Sequence, residues 1–185
     1  YNLGASKAIV TAQKIAELDP FIKVTCFPEG VNEDNIDAFL GDGDSQIDIL
    51  VEECDSIDVK IFSRLKAREK KIPVVMDTND RGMLDIERFD LEPDRKIFHG
   101  NLDESIDLSN LKNLTNQEKL PLLDAMVNLS ALSERMKYSL GEMGKTINTW
   151  PQLASSVMLG GAMVTDVCRR ILLSQTTSSG RYYVD

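Results

Sequence analysis

The stretch Ile47–Ser56, with the sequence IDILVEECDS, places a run of β-branched and apolar residues directly before a group of acidic residues. This order is typical of a buried strand that ends in carboxylates. Ligands bind outside the carboxyl ends of the strands in open α/β sheets, so Asp55 is the first candidate site residue. The alternative is structural. Asp and Ser are preferred at helix N-caps, and Asp55 and Ser56 would then only begin the next helix.

Helix and strand patterns alternate through the first part of the chain, and this alternation predicts the fold class. Apolar residues at helical spacing predict helices at residues 6–18, 32–40 and 56–71. β-Branched runs predict strands at residues 21–26, 47–51 and 72–76. The last run, IPVVM, is continuously apolar and ends before Asp77, which predicts an inner parallel strand. The sequence therefore predicts an α/β fold with a doubly wound, mostly parallel sheet between two layers of helices.

The remainder of the chain predicts one or two edge strands at Arg81–Leu91 and a polar loop at residues 101–116. It also predicts a helix at Lys119–Leu140 and a long helix at Gln152–Leu173, with a loop or edge strand after Gln175. These elements fit a single domain. Its parts are an α/β core at 1–100, a loop and helical insert at 101–149, a closing helix at 150–175 and a tail at 176–185.

Composition excludes several classes of function. The net charge of -9 and the sequence pI near 4.7 argue against a nucleic-acid partner. Cys26, Cys54 and Cys168 are far apart and form no CxxC pair, so we expect no disulfide framework, no cysteine-built zinc site and a reducing, cytoplasmic location. The apolar stretch Leu153–Val164 contains serines and glycines and is too short to span a bilayer, so no membrane association is expected.

Three segments together resemble a known family. They are LGASKAIVTAQKIAELDPFIKV, VNEDNIDAFLGDGDSQIDILVEECDS and AREKKIPVVMDTNDRG. Their order and spacing resemble the middle of the ThiF/MoeB/HesA superfamily, to which the ubiquitin-activating enzymes also belong. The resemblance implies a Rossmann-like three-layer sandwich. The chain opens on Tyr1 and leads directly into a helix, so we expect the first β-α unit of that fold to be missing from it.

The resemblance also implies site residues. Lys7 falls where the family places a lysine that contacts ATP phosphates, and Asp55 falls on the second Asp of a D-x-x-D motif that helps to hold Mg²⁺. Glu52 stands at the first Asp of that motif, and Ser56 replaces the usual Asn, so both are implied cofactor-binding positions. The implied cofactors are ATP and Mg²⁺.

The implied reaction is adenylation of the C-terminal carboxylate of a protein or peptide, such as a sulfur-carrier or ubiquitin-like protein. Asp77, Asp80 and Arg81 would line the substrate channel, or would only form a turn after the strand. The implied assembly is a homodimer, with the helix at Gln152–Leu173 as one contact.

The sequence also lacks several parts of the family pattern. The glycine-rich turn, its acidic partner and the phosphate-binding arginines belong upstream of Tyr1, so we expect no ATP site to form within this chain alone. Residues 104–149 contain no cysteine, which argues against thioester transfer. Two rival functions stay open: a non-catalytic dimerisation or scaffold module, and a dinucleotide-binding oxidoreductase domain.

Four further features have structural interpretations. Lys7 taken alone is typical of a solvated helix residue. Cys54 is interpreted as a small, inert core residue, and His99 is given no catalytic role. The basic residues between Lys60 and Lys71 are interpreted as the solvated face of a helix.

Overall fold

A computed structural model describes residues 2–106, 111, 114, 116–149 and 151–184. In these residues the chain forms a mixed α/β fold around an open sheet of four strands in the order β1-β2-β3-β4. The strands are β1 (Leu50–Val51), β2 (Val74–Asp77), β3 (Leu84–Glu87) and β4 (Gly180–Tyr182). The α-helices are α1 (Lys7–Leu18), α2 (Ile36–Leu40), α3 (Ile57–Glu69), α4 (Asn116–Val127), α5 (Glu134–Glu142) and α6 (Ala154–Leu172).

The β1-α3-β2 unit is the part of the fold that agrees best with the sequence pattern. Strands β1 and β2 are parallel, with Leu50 opposite Val74 and Val51 opposite Val75. Ser56 occupies the N-cap position of the crossover helix α3, as the structural alternative expected, although its side chain makes no capping hydrogen bond. The strand predicted at 72–76 is confirmed as an inner strand, because β2 lies between β1 and β3.

Two apolar clusters cover the opposite faces of the sheet, since neighbouring residues of a strand point to opposite sides. Val74 belongs to the larger cluster, which includes Ile61 and Phe62 of α3. Val75 belongs to the smaller cluster, with Val164 and Val167 of α6. The sheet therefore has α3 against one face and α6 against the other.

The prediction of a mostly parallel sheet is wrong for the described residues. The β1–β2 pair is parallel, but the β2–β3 and β3–β4 pairs are antiparallel. A tight turn follows β2, in which the N–H of Thr78 donates to the carbonyl of Met83 at 2.9 Å. A connection this short can only join antiparallel strands.

The structure corrects two strand predictions, and it decides whether the tail after Gln175 is a loop or an edge strand. The predicted edge strand at Arg81–Leu91 exists as β3, but it is an inner strand because the chain's last segment adds β4 beyond it. The tail after Gln175 is thus an edge strand. The segment Phe21–Cys26 is not a strand, because no strand in the described part of the chain pairs with it, and Phe21 is exposed. Helix α1 before it has no buried residue.

The helix predicted at Lys119–Leu140 is two helices, α4 and α5. They are separated at Asn128, whose left-handed backbone has a φ of 52°. Part of the loop predicted at 101–116 lies outside the described residues, and α4 begins at Asn116. The predicted long helix is confirmed as α6, which runs over Ala154–Leu172. Among the described residues, no helix has the length and apolar character needed to cross a membrane.

Candidate functional site

A cavity of about 780 Å³ lies at the carboxyl ends of β1 and β2. Its acidic end is formed by Glu53 and Asp55, which follow β1, and by Asp77, which ends β2. Its opposite side is a helical wall, which we define as residues 116–142; it contains α4, α5 and, between them, the short 3₁₀ helix at Leu129–Ala131. The apolar residues of this wall that line the cavity are Leu120, Leu123, Met126, Val127, Leu129, Leu132, Met136 and Leu140. A cavity of this size is typical of binding sites for small molecules or short peptide segments.

Glu53 and Asp77 form a pair of neighbouring carboxyl groups at the acidic end. The backbone N–H of Asp77 donates to Oε1 of Glu53 at 3.0 Å. Desolvation, together with the nearby Asp77 carboxyl, raises the pKa of Glu53 to about 8. Burial also raises the pKa of Asp77. The pair therefore retains a proton near neutral pH, because two adjacent carboxylates do not both ionise freely.

Gly160 of α6 makes room for the Asp77 carboxyl. A β-carbon at position 160 would lie 1.8 Å from Oδ2 of Asp77 and 2.4 Å from its Cγ. Any side chain at this position would displace the Asp77 carboxyl group. The absence of a side chain at Gly160 thus allows α6 to pack directly against the acidic end.

Three polar contacts hold the helical wall above the sheet. The carboxylate of Asp80 accepts hydrogen bonds from the backbone N–H and the hydroxyl of Ser133, at 2.8 and 2.5 Å. Ser133 is also the N-cap of α5 and accepts a hydrogen bond from the N–H of Met136. The guanidinium groups of Arg81 and Arg181 donate to backbone carbonyls of the wall, at Ala131 and Ala125 respectively.

Glu52 does not line the cavity but belongs to a buried ionic network. Its carboxylate lies 3.0 Å from Nζ of Lys60 and 2.5 Å from Nη1 of Arg64. Arg64 also pairs with Glu87 at 2.8 Å and stacks on the ring of Phe98 at 4.3 Å from its centroid. Burial opposes the ionisation of Glu52, but Arg64 and Lys60 outweigh it and lower its pKa. The negative charge of Glu52 is therefore neutralised by ion pairs within the protein.

Arg64 is fully buried, which corrects the interpretation of the basic residues of α3 as a solvated face. On the same helix, Lys60 is also turned inwards and its side chain is only 15% exposed.

The thiol of Cys54 is a poor nucleophile. Its Sγ lies 2.9 Å from Oε1 of Glu52. Desolvation and the charge of Glu52 raise the pKa of Cys54 to about 12, so almost no thiolate forms at neutral pH. His99 has partners that suit a structural role, since its ring nitrogens contact Asp85 at 3.0 Å and Arg95 at 2.9 Å.

The structure brings together three of the residues singled out from the sequence: Asp55, Asp77 and Asp80 all line the cavity. The others lie elsewhere. Lys7 is exposed at the start of α1, and the Ser56 hydroxyl donates to Asp58 at the start of α3. Glu52 and Arg81 hold neighbouring parts of the fold, as described above.

The described residues fit the implied cofactors only in part. Asp55 is an exposed carboxylate at a strand end, which suits one ligand of a Mg²⁺ ion that keeps most of its waters. No group of three or more His, Cys, Asp or Glu side chains in the described part of the chain is arranged to hold a metal. None of its cavity-lining segments is a glycine-rich turn that would cradle a triphosphate.

Sequence reasoning missed Glu53 and Gly160 as site residues. Glu53 directly precedes Cys54 in the acidic run, but its proximity to Asp77 depends on the register of β1 against β2. In the sequence, Gly160 is one of two adjacent glycines in the apolar stretch Leu153–Val164. Its relation to Asp77 depends on how α6 crosses the sheet, for which the sequence has no local signal.

The chain is similar to a protein of Mycobacterium tuberculosis (strain CDC 1551 / Oshkosh) named uncharacterized protein MT1398. The two are 41% identical over 185 residues, which is 100% of this chain and 25% of the mycobacterial protein. The chain thus spans about a quarter of the length of this curated relative. No protein-family model matches the sequence, and no solved structure matches it significantly.

Proposed function

We propose that this chain forms the acceptor side of an ATP- and Mg²⁺-dependent adenylation site of the ThiF/MoeB/HesA type, within a longer polypeptide. The observation that supports this proposal is the position of the cavity. It opens at the carboxyl ends of two parallel strands, with Asp55 at its acidic end, where α/β sheets bind their ligands. The acceptor would be the C-terminal tail of a sulfur-carrier or ubiquitin-like protein.

In this proposal the chain contributes positioning and electrostatics, because adenylation needs little covalent chemistry from the protein. The helical wall would hold the tail, and Asp55 would be a ligand of Mg²⁺ when the nucleotide is bound. Cys54 has no covalent role, since its raised pKa leaves the thiol protonated. Residues outside this chain would have to bind the triphosphate.

The exposed edge of β1 is consistent with a larger, Rossmann-like sheet. In the described residues, no strand pairs with β1 on the side away from β2, and Val51 is 44% exposed. An apolar groove beside this edge is lined by Val51, Cys168 and Leu172, among others. Further strands of the longer polypeptide, paired with β1, would cover both features. The predicted homodimer stays a prediction.

The test is ATP–pyrophosphate exchange by the complete polypeptide that contains this sequence, with sulfur-carrier and ubiquitin-like proteins as acceptors. The Asp55→Asn variant should lose about 100-fold or more of the exchange rate, since a metal-binding charge in the transition state is removed. The matched control is Asp48→Asn, because Asp48 is exposed and does not line the cavity. Absence of exchange with every acceptor would refute the proposal.

A second candidate is a non-catalytic scaffold module, which the geometry of Glu52 favours. Glu52 occupies the first acidic position of the motif, yet Lys60 and Arg64 already neutralise it. If this candidate is correct, the complete polypeptide binds a partner protein with unchanged affinity in the presence and absence of ATP and Mg²⁺. Isothermal titration calorimetry of the same acceptor proteins distinguishes the two candidates.

A further inference from the structure

The two helices of the helical wall are attached to the fold in different ways. Helix α4 places Leu122 and Met126 in the larger apolar cluster, where both side chains are buried. Helix α5 has no buried residue, although its Met136 and Leu140 line the cavity. An isolated helix of 9 residues is not stable in water, so α5 keeps its place only through contacts with the rest of the protein.

Left-handed backbone lies at both ends of the segment that contains α5. Asn128, directly before this segment, has a φ of 52°, and Gly144, directly after it, has a φ of 77°. Asn and Gly adopt this conformation more readily than other residues do, and small residues at the ends of an element often serve as hinges. We define the segment between them, residues 129–143, as the lid. The cavity-lining residues of the lid include Leu129, Leu132, Met136, Leu140 and Met143.

Two residues of the turn between β2 and β3 hold the lid by hydrogen bonds. The carboxylate of Asp80 accepts from the backbone N–H and the hydroxyl of Ser133, at 2.8 and 2.5 Å. The guanidinium of Arg81 donates to the carbonyl of Ala131 at 2.8 Å. Water can replace each of these hydrogen bonds when the lid moves away from the turn, so their loss has a small net cost. The lid can therefore open without removing a buried side chain from the core.

The C-terminal segment 180–184 holds Arg81 in place. The guanidinium of Arg81 lies over the ring of Tyr183, 5.4 Å from its centroid. The carbonyl of Arg81 accepts a hydrogen bond from the N–H of Val184 at 3.0 Å. The backbone of Arg81 is left-handed, with a φ of 53°, which a residue with a side chain keeps only when its surroundings hold it there. Arg81 thus connects the C-terminal segment to the lid.

We propose that residues 129–143 are a lid over the cavity and that the C-terminal segment 180–184 keeps this lid closed through Arg81. The lid opens by rotation about Asn128 and Gly144, while α4 stays in the core. Closure of the lid and binding of the C-terminal segment to the turn therefore stabilise each other, and release of that segment favours the open lid. This inference goes beyond the proposed function, because it concerns access to the cavity for a ligand of any kind.

Hydrogen exchange of the complete polypeptide, measured by mass spectrometry of its peptic peptides, detects opening of the lid. After correction for intrinsic exchange rates, the amides of α5 should exchange about tenfold faster than those of α4, because α5 opens without the core. Peptides that cover β2 and α6 should exchange slowly, and their exchange is the measure of an intact core.

Two variants test the role of the C-terminal segment. Tyr183→Leu removes the ring beside Arg81 and should raise exchange in α5 about threefold. Arg81→Met also removes the hydrogen bond to Ala131 and should raise exchange in α5 about tenfold or more. The control is Tyr182→Leu, the same substitution at the neighbouring residue, whose hydroxyl donates to the carbonyl of Ser178. This control should leave exchange in α5 unchanged.

Equal exchange rates in α4 and α5 overturn the inference, because the helical wall then opens only as one unit. It is also overturned if Tyr183→Leu and Tyr182→Leu change exchange in α5 to the same extent, or if β2 and α6 lose their protection together with α5. Faster exchange of α5 in Tyr183→Leu and Arg81→Met, with slow exchange of β2 and α6 retained, supports it. Pyrophosphate exchange tests the proposed function separately, so either can fail while the other stands.

Discussion

The Oδ2 atom of Asp77 lies 1.8 Å from the point where a β-carbon on Gly160 would be placed. Asp77 therefore lies between two groups. On one side is α6 at Gly160, which has no side chain, and on the other is the Glu53 carboxyl, which accepts a hydrogen bond from the backbone N–H of Asp77. This arrangement links three elements, since Glu53 follows β1, Asp77 ends β2 and Gly160 belongs to α6. The packing of α6 thus determines where one carboxyl of the acidic end can lie.

Gly160→Ala should destabilise the protein by about 1 to 3 kcal/mol, because the new methyl group forces the short Asp77 side chain out of its position. The control is Gly161→Ala on the same helix, where nothing lies within 4 Å of the added β-carbon. That control should gain about 0.5 to 1 kcal/mol from helix propensity. Urea denaturation followed by circular dichroism measures both values. Equal effects of the two substitutions would contradict the packing described for Asp77.

The parts of the fold that could be predicted from the sequence depend on local patterns. Asp55 and Asp77 each come at or just after the end of a strand pattern, and both line one cavity. The segment Phe21–Cys26 has a clear strand pattern, but a strand forms only when another strand supplies its hydrogen bonds, and the described residues contain no such partner.

Buried charge could not be predicted in the same way. Arg64 lies among basic residues that were assigned to solvent, and nothing in the sequence near it indicates Glu87, which is 23 residues away. The partners become visible only when β1, α3 and β3 are assembled. Likewise, β3 becomes an inner strand only because Gly180–Tyr182 returns from the end of the chain to pair with it.

Arg64→Met should cost about 3 to 5 kcal/mol of stability, because it leaves Glu87 buried without its cation and Glu52 with Lys60 alone. The control is Arg169→Met, which removes an exposed ion pair with Asp166 and should cost about 0.5 kcal/mol or less. Adding Glu52→Gln and Glu87→Gln to Arg64→Met should recover part of the loss, since the uncompensated charges are then absent. Thermal and urea unfolding would show this recovery. If the triple variant is less stable than Arg64→Met alone, the loss does not come from unpaired charge.

Glu53→Gln should change how stability depends on pH. The folded pKa of Glu53 is about 8, above the ordinary value of 4.5, so the folded protein binds a proton more tightly than the unfolded chain does. This contribution is fully present below the unfolded pKa and is lost as the pH rises through the folded pKa. The wild-type protein should therefore lose more stability than Glu53→Gln between about pH 6 and about pH 9.

Urea midpoints at these two pH values measure the effect, with Glu33→Gln as the control because Glu33 is exposed and outside the cavity. Parallel pH dependence in the wild type and Glu53→Gln would show that the carboxyl pair does not hold its proton in this range.

Ser133→Ala tests the attachment of the helical wall to the sheet. Ser133 caps α5 through the N–H of Met136, and its hydroxyl also donates to Asp80 at the end of the cavity nearest the sheet. Loss of this hydroxyl should cost about 1 to 2 kcal/mol, because the acceptor of one capping hydrogen bond and the donor of one charge-assisted hydrogen bond are lost together. The control is Ser130→Ala, which should cost less than about 0.5 kcal/mol, since Ser130 is exposed and its hydroxyl donates to the nearby Asn128.

A double-mutant cycle with Asp80→Ala isolates the contact between the Ser133 hydroxyl and Asp80, for which we expect a coupling free energy of about 0.5 to 1.5 kcal/mol. Additive effects in the cycle would mean that the Ser133 hydroxyl acts only within α5. The wall would then depend for its attachment on the backbone N–H of Ser133, which donates to Asp80, and on the arginine contacts to Ala125 and Ala131.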